Sequence, residues 1–330
     1  MKKVISIIMI LFLMLPLSAC KKEEKQTQEK PLQKITFVLD WTPNTNHTGV
    51  YAAKEKGFFK EAGFDVDIIQ PGKNTSDQLI AEGKAQFGIS YQENVTYARE
   101  QNMPLVSIAA VVQHNTSAFA WPSNKDIKTP KDFEGKTYAG WGSPIEEAVL
   151  KSITEKYGGD FSKVNVLTTD AADFFALTEK DADFAWIYYG WTGIASKVQN
   201  KSIDYIMLKD EDKDLDYYTP VIITSEKMIS ENRDTVKRFM EAVSKGYDYA
   251  EKNPEDAAQI LLKEAPELDK TLVIESQKWL SPRYKDDAKV WGYQKRETWE
   301  NYTRWLYDRK LINTMIDVDK AFTNEFIPEK

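Results

Sequence analysis

Past residue 33 the chain alternates two hydrophobic patterns. Residues 35–39, ITFVL, form a short apolar-leaning run of the length of a buried strand. Residues 48–56 read as a helix that Gly57 ends, because glycine takes the left-handed conformation past a helix C-terminus without strain. Phe64, Val66 and Ile68 alternate with Asp65 and Asp67, the period of a strand. A helix over 76–82 leads into a strand over 86–90, and a helix over 94–100 into a strand over 105–113. Such alternation implies a mostly parallel sheet with helices on both faces.

The stretch FAWPSNK at 119–125 interrupts this series, and a second one follows. Thr129 and Pro130 fit an N-cap followed by proline at the first helical position. Strands are expected over 137–141, 164–169, 184–189 and 205–209, with a helix over 144–157. Residues 217–225, YYTPVIITS, are extended and able to carry the chain back to the first series. The remainder is helical. Val236, Phe239, Met240, Val243 and Tyr247 share one helical face. Asn253 and Pro254 read as a cap and first-turn pair, and Trp299, Tyr302 and Leu306 as a packing stripe. The expected architecture is α/β with two lobes, 34–120 plus 222–330 and 121–221, joined by two crossings. In open α/β sheets, ligands sit beyond the carboxyl ends of the strands.

The N-terminus has a different character. Lys2 and Lys3 precede an apolar stretch over 4–17 that is short for a membrane span of about 20 residues. It closes on Leu17, Ser18, Ala19 and Cys20, which looks like a bacterial lipobox. Residues 1–19 are therefore expected to be a signal peptide, and Cys20 the lipidated residue. Residues 20–33 carry charge and little apolar surface, the composition of a flexible tether.

Composition narrows the function classes. A net charge of −7 disfavours a nucleic-acid partner, which calls for a basic patch. Cys20 is the single cysteine, which excludes an intramolecular disulfide and a cysteine-rich metal centre. The two histidines are distant in sequence, so no zinc site is expected. No nucleophile-elbow or phosphate-cradling motif appears, and no cofactor is expected.

The loops after the predicted strands carry the candidate chemistry. They are Asp40, Trp41, Asn46 and His47; Tyr91, Gln92 and Glu93; Gln113 and His114; Trp141, Gly142, Ser143 and Glu146; and Tyr188, Tyr189 and Trp191. All except Glu93 and Trp191 are expected ligand-binding residues. The last three aromatics cannot all face a cleft, and the two tyrosines should point to opposite sides of their strand. These loops supply rings, amides and carboxylates, with no lysine or arginine. Such a cup suits a flat heteroaromatic bearing amino groups, whose N–H donors a carboxylate accepts. Sulfonate or nitrate binding would need cationic or helix-dipole compensation of the anion.

The segments 34–68, 104–117, 141–150 and 183–193 together resemble the formylaminopyrimidine-binding lipoproteins of thiamin-salvage importers. DWTPNTNH and WGSPIEE are the more specific pieces. The resemblance spans 34 to about 311. It implies a type II periplasmic-binding-protein fold with a closing cleft and a pyrimidine stacked on aromatics. It also implies a monomer anchored on the extracytoplasmic face of the cell membrane, serving an ABC permease and ATPase. The same superfamily holds sulfonate binders and an enzyme, the yeast-type hydroxymethylpyrimidine synthase. That enzyme carries a lysine that holds pyridoxal phosphate and a histidine four residues later. Ser90 and Asn94 occupy those positions here, and an aldimine needs an amine nucleophile. A non-enzymatic binding protein is the reading these residues favour.

Overall fold

The two β-α-β series form two separate five-stranded sheets. The computed structural model describes residues 31–169 and 173–329. The expected signal peptide, the Cys20 anchor and most of the tether lie outside these residues. Gln33, placed at the end of the tether, is the first residue of a strand and donates to Gly63 O at 2.9 Å.

The first sheet contains β1 (Gln33–Val38), β2 (Phe64–Ile69), β3 (Phe87–Ser90), β4 (Leu105–Ala110) and β10 (Val221–Ser225), in the order β2-β1-β3-β10-β4. The second contains β5 (Ser117–Pro122), β6 (Thr137–Gly140), β7 (Asn165–Thr168), β8 (Phe184–Tyr188) and β9 (Ile203–Met207), in the order β7-β6-β8-β5-β9. β1 pairs parallel with β2 and β3, and β6 parallel with β7 and β8. Each sheet also holds one antiparallel strand, the first strand laid down after a crossing. β5 runs between β8 and β9, and β10 between β3 and β4.

FAWPSNK therefore does not interrupt the pattern; its first four residues complete β5. Phe119, Ala120 and Trp121 are buried, so the run lacks the alternation of a half-exposed strand. Pro122 is tolerated because it closes the strand, where a missing N–H costs little. The first crossing thus lies between Ala110 and Ser117, ahead of the expected break after residue 120.

Helices cover both faces of each sheet. The long helix Arg233–Lys252 buries Val236, Phe239, Met240, Val243 and Tyr247, and Phe239 stacks on Phe87 with centroids 3.8 Å apart. The same helix closes on Thr48–Glu55 so tightly that a Cβ at Gly246 would stand 2.1 Å from Gly49 O. Pro254 opens the next helix as expected, but Asn253 does not cap it; its amide donates to Tyr249 O at 3.0 Å. The stripe on Arg296–Asp308 divides between two cores. Trp299 stacks on Phe322 beside the first sheet, whereas Tyr302, Trp305 and Leu306 join the core of the second. We propose that the sheets mark two lobes and that this helix straddles them.

Candidate functional site

The carboxyl ends of β1, β3, β6 and β8 converge on one cavity of about 620 Å³. Of the residues expected to bind a ligand, Asp40, Trp41, Asn46, Tyr91, Trp141, Ser143 and Tyr188 line it. Trp41 is 46% exposed and Trp141 51%, large apolar faces left in the open. Trp186 stands edge-on to Trp141, with centroids 5.4 Å apart and planes at 74°. Among the described residues, Asp40 and Glu93 are the only charged side chains in the lining, with no lysine or arginine.

Asp40 is held from two sides. His47 Nδ1 accepts from Asn44 N–H at 3.2 Å, so its other ring nitrogen is the donor to Asp40 Oδ1, at 2.6 Å. Tyr91 Oη donates to Asp40 Oδ2, also at 2.6 Å. Burial pushes the Asp40 carboxyl up, but the pairing with His47 and these hydrogen bonds outweigh it and leave the pKa below its ordinary value. Asp40 presents its edge to the cavity as an ionised, oriented acceptor. His47 is fully buried behind it and does not line the cavity, which corrects its placement among the ligand contacts.

Trp141 is set by a clip built from Glu146. Glu146 Oε1 accepts from Tyr138 Oη at 2.5 Å and Trp141 N–H at 3.2 Å, and Oε2 from Gly142 N–H at 2.8 Å and Ser143 N–H at 3.3 Å. Burial raises the pKa of Glu146 against these bonds. Gly142 has φ +78°, and a Cβ at Gly140 would overlap Glu146 Oε1 at 1.8 Å. Glu146 and Gly142 thus shape the turn without lining the cavity. Glu146 is buried with both oxygens engaged, a correction to its expected reading of a ligand amine.

Four further expected contacts lie elsewhere. Gln92 accepts from Tyr218 N–H at 2.8 Å and donates to Thr298 O at 3.3 Å. Gln113 donates to Tyr293 O at 3.0 Å. His114 pairs through Nδ1 with Asp216 at 2.7 Å. These side chains tie down the crossings, whose buried backbone groups need partners. Tyr189 turns away from Tyr188, as strand alternation requires, and packs on Tyr205 and Trp279. The wide helical turn Tyr189–Gly193 then returns Trp191 and Thr192 to the cavity.

Sequence reasoning missed Asn44, Glu93, Asn94, Trp186, Tyr217 and Pro220 as lining residues. Trp186 was within reach, because it shares a face of β8 with Tyr188 at the period of two. Phe174 and Leu177 come from the helix Phe174–Lys180, which no local pattern ties to the cavity.

Over 98% of its length the chain is 29% identical to the formylaminopyrimidine-binding protein of Halalkalibacterium halodurans, covering 99% of that protein. It is 23% identical to a 4-amino-5-hydroxymethyl-2-methylpyrimidine phosphate synthase of Saccharomyces cerevisiae, over 89% of this chain and 88% of the yeast one. The alkanesulfonate-binding protein SsuA from Xanthomonas axonopodis pv. citri, solved bound to MOPS, superposes with a TM-score of 0.67 at 13% identity, covering 88% of this chain and 98% of that one. The fold is therefore that of the periplasmic binding proteins. The family model described as NMT1/THI5 like matches residues 44–257, more than half of the chain, and the protein belongs to that family.

Proposed function

We propose that this protein is the extracytoplasmic solute-binding component of an ABC importer and that its cargo is an aminopyrimidine of the thiamin type. The observation that carries this reading is the lining: two acids, two exposed tryptophan faces and, among the described residues, no basic side chain. An anion would find no cationic partner there. An amine-bearing ring finds acceptors at its edge and aromatic faces on its plane. Ring stacking contributes roughly 0.5–1.5 kcal/mol per pair beyond burial. A micromolar Kd requires about 8 kcal/mol, so closure must also desolvate and hydrogen-bond the ligand. The likeness to a formylaminopyrimidine-binding protein over nearly the whole chain supports the same ligand class.

Binding without catalysis fits the residues at the enzyme's two key positions. Ser90 is buried at the end of β3, and Asn94 donates to Asp77 Oδ2 at 3.1 Å. Neither supplies the amine an aldimine requires. In this reading residues 1–19 direct export, the Cys20 thiol carries the lipid anchor, and the protein works as a monomer delivering cargo to a permease and its ATPase.

A thermal-shift screen against aminopyrimidines, thiamin, taurine and nitrate tests the assignment. A ligand at one hundred times its Kd stabilises the folded state by about 2.7 kcal/mol. The expected result is a shift with aminopyrimidines. A clear shift with taurine and none with any pyrimidine would overturn it.

A further inference from the structure

The two acids in the cavity differ in how they are held. Asp40 has hydrogen-bond partners on both oxygens. Glu93, in the first turn of the helix Gln92–Glu100, lines the same cavity, and its buried Oε2 has no hydrogen-bond partner. At a helix N-terminus the dipole favours an ionised carboxylate. Its surroundings oppose that. Asp77, on the helix Ser76–Ala81, and the phenols of Tyr97, Tyr188, Tyr217 and Tyr302 lie within range of its charge. Tyr91, bonded to the Asp40 carboxylate, also feels the charge of Glu93. None of these neighbours is a cation. Burial, with the Asp77 charge adding to it, pushes the Glu93 carboxyl up to about 8 despite its own backbone hydrogen bond.

We infer that Glu93 is the specificity-determining residue for the ligand, reading the edge where a ring nitrogen adjoins an exocyclic amine, as a neutral carboxylic acid. Its O–H donates to the ring nitrogen, and its carbonyl oxygen accepts from the amine, a two-point pairing that uses the orphaned oxygen. This inference rests on the aminopyrimidine reading and adds to it a protonation requirement. At neutral pH the acid is already protonated and binding moves no proton. Above the pKa of the acid the complex must take one up, and affinity falls about tenfold per pH unit.

The test uses 4-amino-2,5-dimethylpyrimidine, titrated by tryptophan quenching from pH 7.5 to 9.5 into purified wild-type protein, Glu93→Gln and Glu93→Leu. A glutamine amide presents the same donor and acceptor pair as the neutral acid but does not titrate. Glu93→Gln is expected to bind within about fivefold of wild type at pH 7.5 and to lose the alkaline fall. Glu93→Leu is expected to bind about thirtyfold more weakly, having lost both hydrogen bonds. Wild-type binding of 2,5-dimethylpyrimidine, which lacks the amine, is expected to be weak at every pH. If wild type binds the aminopyrimidine without an alkaline fall, or Glu93→Gln keeps that fall, the role of Glu93 is overturned while the ligand class stands. If wild type binds neither pyrimidine at any pH, both readings fail together. Should Glu93→Leu not fold, the pH profile of Glu93→Gln decides by itself.

Discussion

His47 and Asp40, seven positions apart in sequence, meet at 2.6 Å, with the imidazole buried behind the carboxylate. The histidine orients the acid and the acid faces the cavity. Replacing His47 by alanine removes the donor from Asp40 Oδ1 and leaves a buried acceptor short of a partner. The expected cost is about 1–3 kcal/mol. The pH dependence follows from the lowered Asp40 pKa. Its contribution is fully present above 3.8, the ordinary value, and is lost as pH falls through the lower folded value. Urea denaturation between pH 3 and 7 should show the gap between wild type and His47→Ala narrowing on the acid side. A gap that stays constant across that range would sink this account.

Glu146→Gln tests the clip beneath Trp141. A glutamine keeps one acceptor and replaces the other by a donor, so at least one of the three clasped backbone N–H groups faces a donor. A loss of about 1–3 kcal/mol is expected, together with a blue or red shift of tryptophan emission as Trp141 changes its setting. Unchanged stability and emission would show that the turn holds without the clip.

Two tryptophans separate ligand contact from core. Trp141 is half exposed, and Trp141→Ala should change stability by less than about 1 kcal/mol while reducing aminopyrimidine affinity at least tenfold. Trp299 is fully buried and stacked on Phe322. Its replacement by alanine should cost about 3–5 kcal/mol. Calorimetric titration beside urea melts measures both quantities, and equal binding by Trp141→Ala and wild type would move Trp141 out of the site.

At the first crossing His114 pairs with Asp216, which also accepts from Asn115 N–H at 2.9 Å. The hydrogen bond to Asp216 raises the His114 pKa above 6.5, with burial working against it. Stability from this pair is therefore fully present below pH 6.5 and lost as pH rises through the higher folded value. Asp216→Asn should flatten that part of the stability profile. A wild-type profile already flat from pH 6 to 9 would contradict the pairing.

Much of the fold was legible before any coordinates. The strand over 64–69, the helix from Pro144 and the buried face of Arg233–Lys252 each follow from a local period, because one face of each element must be dry. β5 was not legible as a strand, since burial on both faces erases alternation. Of the candidate site, the lining residues at or just past strand ends were within reach, as with Trp41, Tyr91 and Tyr188.

By itself the sequence determined the alternation of elements, the family and the chemistry of the cup, acids and aromatics without a base, because composition and period are local properties. Only the tertiary structure decided which polar side chains remain free for a ligand. His47, Gln92, Gln113, His114 and Glu146 are matched to backbone or carboxylate partners, several of them far away in sequence, and none of them lines the cavity. Glu93 has an oxygen without such a partner, and that distinction exists only once the chain has folded.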